Sequence, residues 1–474
     1  MATEVLVPGV NIALEIATRN SRGEDRMAQA DESPQKTLFV LMVGKSRVRE
    51  TGNATTLKRL RAHMEASGWG CELRDPEELS NAAAVTAAVA RCDVVLGLHL
   101  YRSGPVLAAC RALKVPYVAC FGGTDVNECL QVPARKAVMQ EAVAGAASLL
   151  AFTAAMKEAA LAAWPFLQPE CVRVLPQAIS VCPDNAFNVA PYLRSLDEYH
   201  AKLLPVSDVA AKGCTGTCDC TSKDVSKRIQ LETMNECKKN AIPISEEGLA
   251  PGQTSVPFSG PSSVITQSVP RTQSSLPRGV AYPLVVLIAG LRPVKDVLYV
   301  AEAWSNWNAE REGRGRLLIM GPVLDAPYAR QVHSEASSFH YRWCGVRVAD
   351  SLKPPQCHAV IASATVLLNS SLSEGMSAAI LEAMVLGTPV LARDIPGNRA
   401  VVRHGETGML FSCPDTFVQQ LNRLLDEPAL VATVTANARA YVAAHHRPRE
   451  EADALLAVLR EAVARRSDAD WQEQ

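Results

Sequence analysis

Twice along this chain a short apolar run ends in a glycine or a polar turn and gives way to a stretch of helical spacing. Each time the alternation is then sustained through several further units. Leu38–Gly44 is a continuous apolar run, and Asn53–Ser67 has helical spacing and stops at Gly68. Cys71–Arg74, Asp93–Leu100, Pro116–Phe121, Leu149–Thr153 and Val172–Ile179 continue as strands, with helices over Asn81–Arg91, Gly104–Leu113, Arg135–Ala144 and Ala154–Ala163. Strands apolar at every position, rather than at every second one, are buried on both faces, as in a parallel sheet covered by helices. The pattern resumes at Leu284–Gly290. Strands follow at Arg316–Gly321, Trp343–Val348, Thr365–Asn369 and Pro389–Ala392, among helices at Asp296–Trp307, Ala326–Ser337, Pro355–Ser363, about Gly375–Leu386 and Pro414–Leu425. Two amphipathic helices, Pro428–Ala444 and Arg449–Arg465, close it. The expected class is α/β, with two Rossmann-like doubly wound domains facing across a cleft at the carboxyl ends of their strands.

What separates the halves is of a different kind. Val206–Gly279 holds one aromatic residue, Phe258, and 21 of the 30 residues from Ala250 to Gly279 are Ser, Thr, Pro, Gly or Gln. Such a stretch buries too little apolar surface to offset its ordering entropy, so 206–279 is expected to be a disordered insertion and linker. The expected order is a flexible tail over 1–36, a first domain over 37–205, the insertion, a second domain over 280–446, and a closing helix and tail over 447–474. A length of 474 residues accommodates two such domains.

Charge and hydropathy narrow the function classes. Lys and Arg total 48 against 49 Asp and Glu. That balance argues against a nucleic-acid partner held by bulk electrostatics, while leaving room for a local basic pocket. The uncharged run Ala142–Met156 falls short of the roughly 20 residues of a membrane span. Glu4 and Glu15, with no basic stretch before an apolar one, argue against a secretory leader. Arg449–Arg465 mixes both charge signs, so membrane association is not indicated. Cys92, Cys110 and Cys120 sit in apolar segments as buried thiols do, and a cytoplasmic setting is expected. Cys214, Cys218, Cys220 and Cys237 lack a nearby His and a known finger spacing, so no metal site is expected there. His445 and His446 read as exposed helix.

The segment Asn369–Leu391 carries the most chemistry. A strand ends near Asn369, and a helix is expected from about Gly375, with Glu374 just before it and Glu382 two turns into it. Eight helical residues rise ~12 Å, about the span from sugar to ribose in a nucleotide diphosphate sugar. The first-turn amides of Gly375, Met376 and Ser377 and the positive end of the helix dipole suit a diphosphate between the two carboxylates. Gly375 lets backbone and ligand approach closely. Glu374 would then accept hydroxyls of the sugar and Glu382 those of the ribose. Taken singly, Glu374 also fits a helix-terminal charge and Glu382 an exposed helix residue, although Leu381, Ala383 and Met384 around it are apolar. Arg292 and Lys295 follow the strand Leu284–Gly290 at its carboxyl end, where cations would meet a phosphate. His99 at one strand end and Asp125 after the next strand are expected to point into the crevice. Gly52-Asn53 follows the first strand, where Gly52 fits a plain turn.

Glu, seven residues, then Glu at a strand–helix junction resembles the C-terminal domain of family 4 glycosyltransferases. The likeness extends to Gly387-Thr388-Pro389-Val390 and Gly405-Glu406-Thr407-Gly408. One branch of that family is also similar in the first half, at Thr51-Gly52-Asn53-Ala54, at Leu98-His99-Leu100-Tyr101-Arg102, from Phe121 to Glu128, and at Gly290-Leu291-Arg292. The match covers roughly Leu38–His200 and Leu284–Arg465. It implies the GT-B fold and retaining transfer of a hexosyl group from a nucleotide diphosphate sugar to an unidentified acceptor. It also implies no metal and no cofactor beyond the donor. Arg292 and Lys295 would hold the diphosphate and stabilise the leaving group, Gly52-Asn53 would cover a phosphate, and base contacts would lie near Gly345–Val348. Three departures stand out, one being Ala400, where relatives often have a Glu before two valines. Only Pro293 and Val294 separate Arg292 from Lys295, and Gly122 stands where many relatives have a His whose role would pass to His99 or Asp125. A non-catalytic sugar-nucleotide binder and a nucleotide-sugar epimerase are the alternatives on the same fold.

Overall fold

In a computed structural model of the chain, residues 37–46, 52–202, 282–311, 313–338 and 344–467 are described. The expectations for 1–36, for 206–279 and for its four cysteines lie outside these residues.

The first sheet is built from β1 (Phe39–Val43), β2 (Gly70–Arg74), β3 (Val94–Leu98), β4 (Tyr117–Cys120), β5 (Ser148–Ala151) and β6 (Val172–Val174). Between them run α1 (Gly52–Ala66), α2 (Ala82–Val89), α3 (Leu100–Ala112), α4 (Gly123–Asn127), α5 (Pro133–Ala144) and α6 (Ala154–Ala163). The order is β2-β1-β3-β4-β5-β6 and every pairing is parallel. Val40 to Val43 and all of β3 are buried, as two-faced burial requires of a central parallel strand.

The second sheet holds β7 (Leu284–Ile288), β8 (Arg316–Met320), β9 (Val346–Ala349), β10 (Val366–Asn369), β11 (Val390–Arg393) and β12 (Met409–Phe411). Its order is β12-β11-β10-β7-β8-β9, again wholly parallel. The chain order reverses between β1 and β3 in the first sheet and between β7 and β10 in the second. Crevices open there at the carboxyl ends of the strands.

The helices of the second half are α8 (Ala301–Ala309), α9 (Ala326–Ala336), α10 (Pro354–Ser363), α11 (Ala378–Leu386), α12 (Pro396–Arg399), α13 (Pro414–Asp426), α14 (Pro428–His445) and α15 (Pro448–Ser467). Two helices pack on the sheet that the sequence division does not assign them. An additional helix, α7 (Val189–Lys202), precedes the insertion, yet Leu193 packs in a cluster with Val286, Leu318 and Met320 of the second sheet. Asp197 accepts hydrogen bonds from Arg316 at 2.6 Å and Arg347 at 2.8 Å, fixing it there. Helix α15 returns to the first core, where Leu455, Leu456, Val458, Leu459 and Ala462 are buried. There Glu451, 2% exposed, accepts from Arg59 at 2.8 and 3.1 Å and faces His63 at 2.9 Å. The two crossovers are tied together: His446 Nδ1 meets the Gln177 carbonyl at 2.7 Å, and Ile179 N–H donates to the His446 carbonyl. His446 is therefore buried, contrary to the exposed helix read from sequence, while His445 is exposed. Among the described residues no helix is long and apolar enough to cross a membrane. Cys92, Cys110 and Cys120 are buried free thiols, and burial pushes the last two up to about 12.

Candidate active site

A cleft of about 490 Å³ lies between the carboxyl ends of the two sheets. Gly52, Asn53, His99, Arg292, Lys295, Glu374, Gly375, Met376, Ser377 and Glu382, all singled out from the sequence, line it. Asp125 does not.

Glu374 stands in the loop between β10 and α11. Its three hydrogen-bond donors converge on one oxygen, Oε1: Lys295 Nζ at 2.6 Å, Ser371 Oγ at 2.7 Å and Asn369 Nδ2 at 3.1 Å. Among the described residues none meets Oε2. The side chain is 8% exposed. Burial alone would raise its carboxyl, but the Lys295 ammonium and the three donors outweigh it and hold the group below the usual carboxylate range. Asn369, at the end of β10, organises the loop. Its amide also reaches Ser377 Oγ at 3.3 Å, while its oxygen accepts from Ser371 N–H at 3.2 Å and Asn398 Nδ2 at 3.1 Å.

Arg292 lies after β7. Its Nε is buried and, among the described residues, has no hydrogen-bond partner. A guanidinium is charged at any physiological pH, so an unmatched one in a cleft favours an anion.

Helix α11 starts at Ala378, with Ser377 at its N-cap, three residues later than expected. The rise computed from Glu374 to Glu382 as continuous helix therefore does not apply. Gly375 lies outside the helix and against the opposite lobe: a Cβ on it would lie 2.8 Å from Gly123 Cα. Its lack of a side chain is needed for that backbone approach, whatever a ligand requires. Glu382 faces His358 of α10, whose Nε2 lies 3.8 Å from Oε1, and the Cys182 amide donates to His358 Nδ1 at 3.2 Å. Burial disfavours a charged His358, but the Glu382 carboxylate prevails and its pKa is raised. No motif marks His358; only its place in the helix after β9 would have suggested it. The loop after β9, with Ser351, Leu352 and Pro354, lines the cleft rather than Gly345–Val348.

The first lobe contributes an imidazole. His99 has φ 68°, ψ 106°, a backbone that non-glycine residues seldom adopt and that clusters at functional sites. Its Nε2 lies 3.0 Å from Asn53 Oδ1, and its Nδ1 lies 3.2 Å from Thr124 Oγ1 and 3.5 Å from Asp125 Oδ2. Asp125 is only 1% exposed and points away from the crevice, a correction to the sequence reading. Its carboxylate accepts from the amides of Leu100 at 2.8 Å, Tyr101 at 3.3 Å and Gly122 at 2.7 Å. It thus caps α3 from 25 residues away and backs His99. This cap is why α3 begins at Leu100 and not Gly104.

Gly122 is bare because the His99 ring fills its side-chain space: a Cβ there would lie 1.8 Å from His99 Cε1 and Nδ1. Gly122→Ala is accordingly expected to expel the imidazole from the cleft, with loss of its contact to Asn53. The imidazole proton resonances of His99 by NMR check this. An unchanged spectrum would contradict it.

The comparisons agree with this architecture. Residues 282–427 match the family model described as glycosyl transferases group 1. Glycosyltransferase 1 domain-containing protein 1 of Xenopus tropicalis is 32% identical over 397 residues, covering 84% of this chain and 90% of that protein. A D-inositol 3-phosphate glycosyltransferase of Streptomyces bingchenggensis is 29% identical over 177 residues, 35% of this chain and 37% of that protein. Among solved structures, the HepE protein of Anabaena in complex with UDP-glucose superposes with a TM-score of 0.59 at 14% identity, covering 89% of this chain and 99% of that one. Sucrose-phosphate synthase of Thermosynechococcus elongatus superposes at 0.60 with 15% identity, covering 90% and 100%. The fold is GT-B, as the resemblance implied. The chain belongs to the group 1 glycosyltransferases, in the family of glycosyltransferase 1 domain-containing protein 1.

Proposed function

We propose that the chain is a retaining hexosyltransferase of the family 4 kind, moving a sugar from a nucleotide diphosphate sugar to an acceptor hydroxyl. One observation carries this reading: Arg292, whose buried Nε has no partner among the described residues, and the Lys295–Glu374 pair line the same interlobe cleft as Glu382 and His99. Arg292 and Lys295 neutralise the diphosphate, assisted by amides of the 375–377 loop, and no metal is assigned a step. Glu374 accepts a sugar hydroxyl at Oε2, and Glu382 accepts the ribose hydroxyls. His99 contacts the sugar from the first lobe, taking the role that relatives give to a His at the place of Gly122.

As the bond between the anomeric carbon and the phosphate oxygen breaks, negative charge grows on that oxygen. Preorganised cations act most strongly there. The acceptor hydroxyl attacks the same face, and the departing phosphate oxygen takes its proton, so no protein nucleophile is required. In support, HepE has this fold and binds UDP-glucose. Incubation with a panel of UDP- and GDP-sugars, with release of free nucleotide as the readout, tests the proposal. One donor should release nucleotide well above the background. Tight binding without release would make the chain a binder, and donor conversion to an epimer without acceptor would make it an epimerase.

A further inference from the structure

The loop bearing Glu374 belongs to the second lobe, yet the first lobe grips it at three points. Asn127, the last residue of α4, donates from Nδ2 to the Glu374 carbonyl oxygen at 3.2 Å. Gly123, the first residue of α4, lies against the next residue: a Cβ on it would sit 2.6 Å from Gly375 N, closer than real side chains come. Met376 then packs against the core clusters of both lobes. The second lobe supplies the opposing jaw at Gly397, where a Cβ would lie 2.1 Å from the same Glu374 oxygen. The backbone of 374–376 is thus held between α4 on one side and the start of α12 on the other.

We propose that α4 is an interlobe clamp, and that Asn127 is a positioning residue that sets the Glu374 backbone only when the lobes are closed. The inference rests on the reading of Glu374 as a donor-sugar contact. With the clamp released, the Glu374 side chain keeps its bonds to Lys295, Ser371 and Asn369, all from its own lobe, so the donor can still be held there. The loop, however, loses its register against the first lobe, and hence against His99. Closure therefore aligns the two halves of the site, and a donor bound to an open form is not turned over. Asn127 does not itself line the cleft, and its side chain is exposed. Its removal tests the contact without threatening the fold. The φ of Gly123 is not positive, so alanine meets no local strain there. Only the opposite lobe excludes it.

The test combines Asn127→Asp, Asn127→Ala and Gly123→Ala with two readouts. The first is amide hydrogen exchange over 374–377, which needs no activity. The second is kcat against the donor dissociation constant measured by calorimetry. An aspartate keeps the shape but cannot donate to a carbonyl. For Asn127→Asp and Asn127→Ala, exchange should quicken and kcat fall about 3- to 10-fold, the worth of one ordinary hydrogen bond, with donor affinity unchanged within about twofold. Gly123→Ala should act in the same direction and more strongly. Unchanged exchange in all three variants overturns the clamp, and so does quickened exchange with unaltered kcat. If the native chain turns over no donor, the proposed function fails, and quickened exchange alone then upholds the clamp as a structural contact between the lobes.

Discussion

Arg292→Ala is expected to lower kcat by about two to three orders of magnitude while leaving thermal stability nearly unchanged. The two halves of this expectation share one cause. Among the described residues the guanidinium Nε is buried without a hydrogen-bond partner. A polar group in that condition contributes nothing favourable to folding, so deleting it removes an unmet desolvation cost along with the side chain. In the reacting complex it faces charge that grows as the leaving group departs, so its loss falls on the transition state more than on the ground state. Lys295→Met provides the contrast. Lys295 is engaged in the folded state at 2.6 Å from a nearly buried Glu374, and its removal leaves a carboxylate without its cation. That variant should lose activity and melt lower. Steady-state kinetics and calorimetric melting on both variants separate the cases. A stability loss in Arg292→Ala as large as in Lys295→Met would contradict the assignment.

Glu451→Ala is expected to destabilise the protein by about 3–5 kcal/mol, because it strands Arg59 and undoes the seam between α1 and α15. Burial works against the charge on Glu451, but hydrogen bonds from His63 and Arg59 and the Arg59 charge prevail and lower its pKa from the ordinary value near 4.5. The sign follows from linkage. A carboxyl that titrates lower when folded contributes stability that is complete above its unfolded value of about 4.5 and is lost as pH falls through the folded value. Glu374, also lowered, contributes in the same window. Urea unfolding at pH 7 and over the range below 4.5 should show the native protein losing stability on acidification and Glu451→Ala losing less. Equal acid sensitivity in the two would rule out the buried ion pair as the cause.

How much of this was legible in the chain depends on the distance over which each feature is determined. The strands were readable because two-faced burial forces an unbroken apolar run, and β1, β3, β7 and β10 lie within the stretches read for them. The paired carboxylates and the Arg292–Lys295 loop were readable because a strand end brings its following residues to the same rim of the sheet. Helix starts were less so. Helix α3 begins early because Asp125 caps it from another turn, and α11 begins late, after a loop whose Gly375 lies against Gly123 of the other lobe. Neither partner is near in sequence, and no propensity encodes them.

By itself the sequence determined two parallel sheets and placed most of the chemistry on their carboxyl rims, since local hydrophobic period and the strand-to-loop junction are properties of neighbouring residues. Tertiary structure alone decided that α7 serves the second lobe and α15 the first, and that Asp125 supports His99 instead of facing the cleft. It alone decided that the Glu374 loop is held from both sides. Each of these depends on a side chain or backbone atom supplied by a distant segment, whose approach is set by how the two lobes pack and not by any residue's own preference.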